Sequence, residues 1–329
     1  MTGKPPLDPL NRKVPAAPPV PAPTRPFPRA HTIPLPGHGA EDVIADDEGR
    51  VLCGLEDGRV VRHDPHHDRT EVVVNTGGRP MGFEWAPDGR LIVCDTKRGL
   101  LMLELSSGEI ETLVRAIDGQ PLRFCSNAAI ERDGTIWFTE STNRFDFDTY
   151  TGSFLEHRPS GRLFRRDANG AVDVVLTDLY FANGLTLTPD GDSLLLAETA
   201  DYSISRIRLS GASQGRKETL LENLPGFPDN ISSFSNGRCW VAMTNPRNYM
   251  LDRLADSPAW LRHLIWMLPE ASRTARRITW AIALDANGQI VEDLHDKRRD
   301  FHMATGAAET QGKLYLCSIE ESALLCVEL

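Results

Sequence analysis

Short apolar stretches alternate with polar turns along most of the chain. In the stretch TPDGDSLLLAET, a turn that ends at Gly191 is followed by an apolar run of strand-forming length. Turns of this kind end at six glycines: Gly49, Gly89, Gly134, Gly191, Gly237 and Gly312. The first five are 40, 45, 57 and 46 residues apart, which is close to the length of a four-stranded propeller blade. This period predicts an all-β fold, a six-bladed β-propeller, rather than a β-sandwich or a parallel α/β sheet.

The same pattern divides the chain into two parts. Residues 1–29 contain the run KVPAAPPVPAPTRPFPRA, which favours extended chain and predicts an arm on the surface or a disordered leader. Residues 30–329 form the predicted propeller. Within them, AHTIPLP at residues 30–36 is expected to supply the outer strand that closes the ring beside the C-terminal strand.

A helical insert, expected around residues 248–276, interrupts the repeat between the fifth and sixth blades. Ser257 and Pro258 predict the start of a helix, with Ser257 as its N-cap. One apolar face follows before Pro269: Trp260, Leu261, Leu264, Ile265 and Leu268. We expect the 257–268 helix to pack on the side or top of the propeller. A lid over a pocket and a peripheral contact with a membrane are less favoured alternatives.

Polar residues begin several of the predicted inner strands. Counting back seven or eight residues from the turn glycines leads to four of them: Glu41, Asn127, Asn183 and Asp229. First strands line the central channel of a propeller and run in one direction, so these side chains are expected to form a ring at one mouth. Two carboxylates and two amide oxygens suit Ca²⁺ and suit zinc poorly. The sequence therefore predicts Ca²⁺ at the axis; capping of local turns is the alternative for any single residue.

Charge and composition argue against some classes of protein. The formal net charge of -10 argues against a nucleic-acid-binding protein, which would normally present a basic face. No stretch reaches the length of a transmembrane helix, and the N-terminal residues lack an apolar export signal. The six cysteines include no CxxC pair. We therefore expect a cytoplasmic protein with reduced thiols, and a single disulfide stays open.

The ring residues also carry a family resemblance. They occur in the phrases GAEDV, CSNAAIERDGTIWFTEST, LYFANGLTLTPDG and LPGFPDNIS. With these phrases, residues 30 to 329 resemble the strictosidine-synthase-like branch of the calcium-dependent propeller hydrolases, whose members include gluconolactonases, diisopropyl fluorophosphatase and paraoxonases. The resemblance implies Ca²⁺ held by Glu41, Asn127, Asn183 and Asp229, and hydrolysis of lactones, esters or organophosphates.

Two positions depart from the pattern of these relatives. Strictosidine synthase has a catalytic glutamate at the start of the sixth inner strand, where this chain has Thr305. Paraoxonases have a histidine in the second inner strand, where this chain has Met81. The first departure argues against amine–aldehyde condensation, and the second argues against activation of water by a histidine at that place.

The resulting hypothesis is metal-assisted hydrolysis of a small-molecule substrate. In it, Ca²⁺ polarises the carbonyl or phosphoryl oxygen, and Asp229 acts as general base or nucleophile. His302, just before the sixth inner strand, is a second acid/base candidate, with packing as its alternative. The predicted substrate-binding residues flank the ring: Met81, Phe181, Phe227 and Thr305. Core packing is an equal alternative for the first three.

Two further functions stay open. One is a strictosidine-synthase-like condensing enzyme without metal catalysis, and the other is a non-catalytic binding propeller with structural calcium. The sequence names neither the substrate nor the oligomeric state, because specificity depends on loop conformations.

Overall fold

The computed structural model describes residues 3–211, 214–268, 277–298 and 300–329. Within these residues, six antiparallel four-stranded sheets surround a central axis. The innermost strands of neighbouring sheets contact each other in ring order, and the innermost strand of the sixth sheet also contacts that of the first. The predicted six-bladed β-propeller is confirmed.

The first strand, β1 (Ala30–Pro34), belongs to the last blade, and the other strands fill the blades in chain order from the axis outward. Blade one contains β2 to β5: Val43–Ala45, Val51–Gly54, Arg59–Asp64 and Arg69–Asn75. Blade two contains β6 to β9: Pro80–Trp85, Leu91–Asp95, Gly99–Glu104 and Glu109–Val114. A small hairpin of β10 and β11 precedes blade three: Ala116–Ile117 and Gln120–Pro121.

Blade three contains β12 to β15: Cys125–Ile130, Ile136–Glu140, Gly161–Arg166 and Val172–Leu179. Blade four contains β16 to β19: Ala182–Leu187, Ser193–Glu198, Ser203–Arg208 and Lys217–Leu221. Blade five contains β20 to β23: Gly226–Ile231, Arg238–Pro246, Thr279–Asp285 and Ile290–Asp296. Blade six contains β24 to β26: Ala304–Thr310, Lys313–Ser318 and Ala323–Glu328. Its fourth strand is β1, which pairs with β26 and closes the ring as expected from AHTIPLP.

The hydrophobic core consists of apolar layers between neighbouring blades. Between blades two and three, for example, Cys94 packs in one layer with Phe138 and Phe164, whose rings stack with centroids 4.8 Å apart. Each large side chain buried in this way contributes about 2 to 3 kcal/mol. All six cysteines are buried and unpaired, so they act as small apolar side chains in these layers.

Glycines allow the innermost strands to approach closely. Gly184 of β16 faces blade five, where an added Cβ would lie 2.4 Å from the backbone nitrogen of Ile231. Gly82 of β6 has the same relation to blade three, and Gly306 of β24 has it to blade one. Each of the three directly follows the residue that faces the axis, so alternate blades use a glycine at this contact.

The helical insert lies within blade five, between β21 and β22. It contains α2 (Tyr249–Leu254) and α3 (Ala259–Met267). The predicted remainder, including Pro269, falls in 269–276, outside the described residues. With α1 (Thr151–Glu156) of blade three, these helices form a group that we call the cap.

The predicted details of α3 are partly wrong. The residue before the helix is Pro258, which makes no side-chain cap bond, and the Ser257 hydroxyl donates to the carbonyl of Leu254, the last residue of α2. Of the five residues predicted to form the packing face, three are exposed: Trp260, Leu264 and Leu268. The buried side chains are Arg262 and Trp266. Apolar residues of α3 lie on several sides of the helix, so their spacing did not identify the side that packs against the rest of the protein.

The N-terminal arm explains which face of α3 is buried. The carbonyl of Pro5 accepts a hydrogen bond from Trp266 Nε1 at 2.8 Å, and that of Leu10 accepts one from Arg262 Nη1 at 3.0 Å. Leu7 packs in one cluster with Trp266 and Phe145. Residues 3–29 thus lie as an extended arm against the cap and the propeller, and the arm recruits the face of α3 that carries Arg262 and Trp266.

Substitution of Gly184 tests the close approach between blades four and five. We expect Gly184→Ala to lower the free energy of unfolding by about 3 kcal/mol, because the new methyl group meets backbone atoms that have little room to shift. Urea denaturation of both proteins measures the difference. The turn substitution Gly191→Ala is the control; its positive φ of 75° adds backbone strain of roughly 1 kcal/mol without a clash. Equal losses for the two variants would contradict the packing argument.

His157, which follows α1, makes cap stability depend on pH. Burial and the guanidinium groups of Arg12 and Arg262 lower the pKa of His157 from 6.5 to about 4. Above pH 6.5, His157 is neutral in both the folded and the unfolded protein. As the pH falls from about 6.5 to about 4, the unfolded protein takes up a proton at this residue more readily than the folded protein, so the free energy of unfolding decreases.

Between pH 6.5 and pH 4, we expect His157→Phe to lose less unfolding free energy than the native protein does, by up to about 3 kcal/mol. Urea unfolding at several pH values measures the slope. His66→Phe, in an exposed turn of blade one, is the matched control. An unchanged slope in the His157 variant would contradict the assignment.

Candidate metal centre and substrate cavity

Irregular strand pairing marks the positions that face the axis. In blades three and four, the register between the first two strands shifts around Asn127 and Asn183, and in blade five it shifts on both sides of Pro228, next to Asp229. Blades two and six show similar shifts around Met81 and Thr305. A β-bulge bends a strand and re-aims a side chain. The bulges therefore occur where side chains turn toward the channel.

The structure places the four predicted ligands in two hydrogen-bonded groups. The amide of Asn183 donates to the Asp229 carboxylate. The amide of Asn230 donates to Glu41 Oε2 at 3.0 Å, and Asn230 Oδ1 accepts from Asn127 Nδ2 at 3.1 Å. All five side chains are buried. Asn230 is thus the bridge between blades one, three and five.

The four predicted ligands face two different cavities. Glu41, Asn183 and Asp229 line a large cavity at one end of the channel, whereas Asn127 lines a smaller cavity of about 150 Å³ on the other side. Asn127 Oδ1 accepts a hydrogen bond from the Leu185 backbone nitrogen at 3.1 Å. Asn127 therefore lies deeper in the channel than the other three.

The two carboxylates are in an unfavourable electrostatic environment. Burial, with repulsion from Asp229, raises the pKa of Glu41 to about 8. Burial also raises the pKa of Asp229 to about 8, with repulsion from Asp42 as a further cause. Two carboxyl groups buried this close need protons or a cation to offset their repulsion.

The donor set fits a calcium ion. Carboxylate and carboxamide oxygens are the ligands that Ca²⁺ takes in proteins. An Asn side chain presents its oxygen or its nitrogen at nearly the same place. The other side-chain partners of Asn183 are the hydroxyl groups of Ser126 and Thr199, which can donate or accept, so Asn183 can exchange the amide donor that it directs at Asp229 for an oxygen directed at an ion. Among the described residues, no group of three or more His, Cys, Asp or Glu side chains is placed to hold a metal. The candidate site is therefore a mixed set of carboxylates and amides.

A cavity of about 790 Å³ extends from this ring to the cap. The predicted substrate-binding residues all line it: Met81, Phe181, Phe227 and Thr305. Tyr249, Met250 and Leu251 of α2 and Ile265 of α3 line its outer side. The insert therefore lies over the cavity, in the position that was the less favoured alternative for it.

Aromatic rings form most of one wall. Phe181 is surrounded by Phe124 and Phe154, with ring centroids 5.4 and 5.0 Å away. Phe154 in turn contacts Phe227 at 5.9 Å. Phe147 and Tyr150 extend the same cluster. Sequence reasoning missed the residues of the 145–156 segment, although its phrase FDFDTYTGSFLE is rich in aromatic residues.

His302 lies beside the cavity, outside its lining. Its Nε2 is 3.1 Å from Glu320 Oε2, and its Nδ1 contacts Glu321 Oε1. Glu320 lines the cavity together with Thr305 and Asp229. Any acid/base role of His302 would therefore be exerted through Glu320, which sequence reasoning also missed, because it lies in an ordinary turn between β25 and β26.

Residues 41–253 match a protein family described as "SMP-30/Gluconolactonase/LRE-like region". The chain is 35% identical over 268 residues to an adipocyte plasma membrane-associated protein of Danio rerio, and the alignment covers 78% of this chain and 64% of that protein. The chain thus spans less than two thirds of that relative. A strictosidine synthase-like protein 4 of Arabidopsis thaliana is 31% identical over 290 residues, which cover 86% of this chain and 77% of the relative.

The fold resembles that of solved propellers. A regucalcin of Agrobacterium tumefaciens, described as a calcium-binding protein, superimposes with a TM-score of 0.63 at 12% identity and covers 92% of this chain and 94% of its own. This likeness concerns the fold alone. Among the described residues, no helix combines the length and the apolar character needed to cross a lipid bilayer.

Proposed function

The chain belongs to the SMP-30/gluconolactonase/LRE-like family, and we propose that it is a calcium-dependent hydrolase of lactones or carboxylic esters. The observation that supports this best is the position of Asp229 and Glu41. These two buried carboxylates, with the amide of Asn183, form the floor of a large apolar cavity, and Asn230 donates a hydrogen bond to Glu41. Organophosphates are a secondary substrate class, because a phosphoryl oxygen can occupy the place of a carbonyl oxygen.

Glu41, Asn127, Asn183 and Asp229 would hold the ion, and Asn230 would orient Glu41 and Asn127 through its two hydrogen bonds. When bound, Ca²⁺ supplies positive charge beside the substrate oxygen that becomes negative during attack. A calcium ion at this set of carboxylate and amide oxygens also agrees with the regucalcin that shares this fold, which is described as a calcium-binding protein.

Asp229 has the position required of the reacting carboxylate. It is buried, lines the cavity, and is held in one orientation by the amide of Asn183. As a general base, it would take a proton from the attacking water; as a nucleophile, its oxygen would attack the carbonyl carbon directly. Both roles place the reacting carbon next to the ring.

The cavity walls indicate an apolar substrate body. Rings of Phe124, Phe154, Phe181 and Phe227 cover one side, and the cap covers the outer side. Such a wall binds a chain or an aryl group through burial and excludes water from it. A polyhydroxylated substrate would leave its hydroxyl groups without partners on the aromatic wall.

Replacement of Asp229 tests the reaction. A panel of lactones, aryl esters and organophosphates is assayed with added Ca²⁺ and after EDTA treatment. We expect the native protein to hydrolyse at least one class with Ca²⁺, and Asp229→Asn to lower kcat by at least about 1,000-fold, because it removes the reacting carboxylate and keeps its size. Asp88→Asn, in an exposed turn at the opposite end of the propeller, is the control.

The outcomes separate the candidate functions. Reversible loss of turnover with EDTA supports the hydrolase. A protein that gains thermal stability from Ca²⁺ and turns over no compound would instead be a binding propeller with structural calcium. Condensation that is indifferent to EDTA would indicate a strictosidine-synthase-like enzyme. Turnover that survives Asp229→Asn would contradict the role of Asp229.

Acyl chain length tests the apolar wall. Each added methylene group that enters the cavity should raise kcat/KM about fourfold, which corresponds to about 0.8 kcal/mol, until the cavity is filled. Phe154→Ala should remove most of this gain and leave hydrolysis of an acetate ester within about threefold. Val174→Ala, exposed on the outer strand of blade three, is the matched truncation. A flat chain-length series in the native protein would contradict an apolar substrate.

A further inference from the structure

Three ionisable groups of blade six form a row that ends in the cavity. Glu320 lines the cavity, His302 Nε2 lies 3.1 Å behind it, and Glu321 contacts the other ring nitrogen. At the outer end, the guanidinium of Arg277 is 3.8 Å from Glu321. The row therefore connects the cavity with a carboxylate on its outer side through one imidazole ring.

The backbone holds His302 in place on both sides. Phe301 is fully buried, and its carbonyl accepts a hydrogen bond from the Thr279 hydroxyl at 3.0 Å. Met303 has a positive φ of 55°, an uncommon conformation for a residue with a side chain, and its backbone nitrogen donates to the Ile278 carbonyl at 3.1 Å. Strained conformations of this kind persist where surrounding contacts fix them, and they are frequent at functional sites.

The turn that carries the two glutamates is also fixed. The Ser318 hydroxyl accepts a hydrogen bond from the Glu320 backbone nitrogen at 3.1 Å. The Glu321 carbonyl accepts one from Gly39 of the segment that leads into blade one, at 3.1 Å. Both partners of His302 thus belong to a turn anchored to its own blade and to the next one, so the row is preorganised.

We propose that Glu320 is the general acid of the hydrolytic reaction, and that His302, oriented by Glu321, is the positioning residue that returns its proton. The inference rests on the proposed hydrolase function. Glu320 supplies an acid that the floor of the cavity lacks, since Asp229 acts on the attacking side and Thr305 stands where strictosidine synthase has a catalytic glutamate.

Water first forms a bond to the acyl carbon while Asp229 takes one of its protons, and the carbonyl electron pair moves onto the carbonyl oxygen; that pair re-forms the carbonyl bond as the leaving group departs. The bond between the acyl carbon and the alkoxy oxygen breaks, and its electron pair stays on that oxygen. The oxygen takes the proton of the Glu320 carboxyl group and leaves as an alcohol. Glu320 regains a proton from the His302 imidazolium, which Glu321 stabilises, and solvent reprotonates the imidazole.

Leaving-group dependence tests this assignment. The native protein, Glu320→Gln and His302→Gln are assayed with Ca²⁺ on an alkyl ester and on a p-nitrophenyl ester that share one acyl group. An alkoxide needs a proton to leave, whereas p-nitrophenolate does not. We expect Glu320→Gln to lower kcat about 100-fold for the alkyl ester and less than threefold for the aryl ester, with loss of the alkaline limb of the alkyl-ester pH profile. His302→Gln should lower kcat for the same ester only, to a smaller extent.

Controls distinguish this inference from a structural effect and from failure of the function itself. Glu56→Gln changes an exposed carboxylate in a neighbouring turn outside the cavity lining and should behave as the native protein does. Equal losses on both esters, or no loss on either, would overturn the role of Glu320 and leave the hydrolase function intact. Absence of turnover of both esters by the native protein would overturn this inference, and absence of turnover of the lactones and organophosphates as well would overturn the hydrolase proposal with it.

Discussion

Two carboxylates, Glu41 and Asp229, are buried close to one another where the inner strands of the propeller converge. Their mutual repulsion and their removal from water are costly, and the surrounding residues are those that reduce this cost. Asn183 and Asn230 direct amide groups at the two carboxylates. Glu41, Asp229 and Asn183 can present oxygens to a divalent cation. One constraint, the offset of buried negative charge, therefore accounts for the asparagines at this end of the channel.

Much of this arrangement could be predicted because a propeller repeats one geometry. Distances of seven or eight residues from a turn glycine lead to equivalent positions around the axis, so Glu41, Asn127, Asn183 and Asp229 could be assigned to one ring before their contacts were known. The β-bulges beside these residues could not, since a bulge is a property of pairing between two strands. For the same reason, the place of Asn127 on the far side of the ring and the bridge through Asn230 appeared only in three dimensions.

The cap was predicted less well, and the reason is physical. Repetition fixes the blades, but the insert occurs once, and its position depends on partners far away in the chain. Arg262 of α3 is buried because carbonyl groups of the arm and of α1 accept its hydrogen bonds. An arginine surrounded by carbonyl acceptors can be buried where an apolar face would be expected. Periodicity, which assumes that apolar residues face inward, therefore selected Trp260 and Leu264, which are exposed.

The two departures noted in the sequence take on a different meaning in the structure. Thr305 and Met81 both line the cavity, so the ring positions that lack an ionisable group still contribute to the walls. An acid can enter such a site from another part of the same blade, and the turn after β25 places Glu320 there with His302 behind it. The absence of an ionisable residue from one strand position is therefore weak evidence that the cavity lacks an acidic group, because a turn can supply one. The functional unit is the set of groups that reach the cavity, and turns can supply them as well as strands.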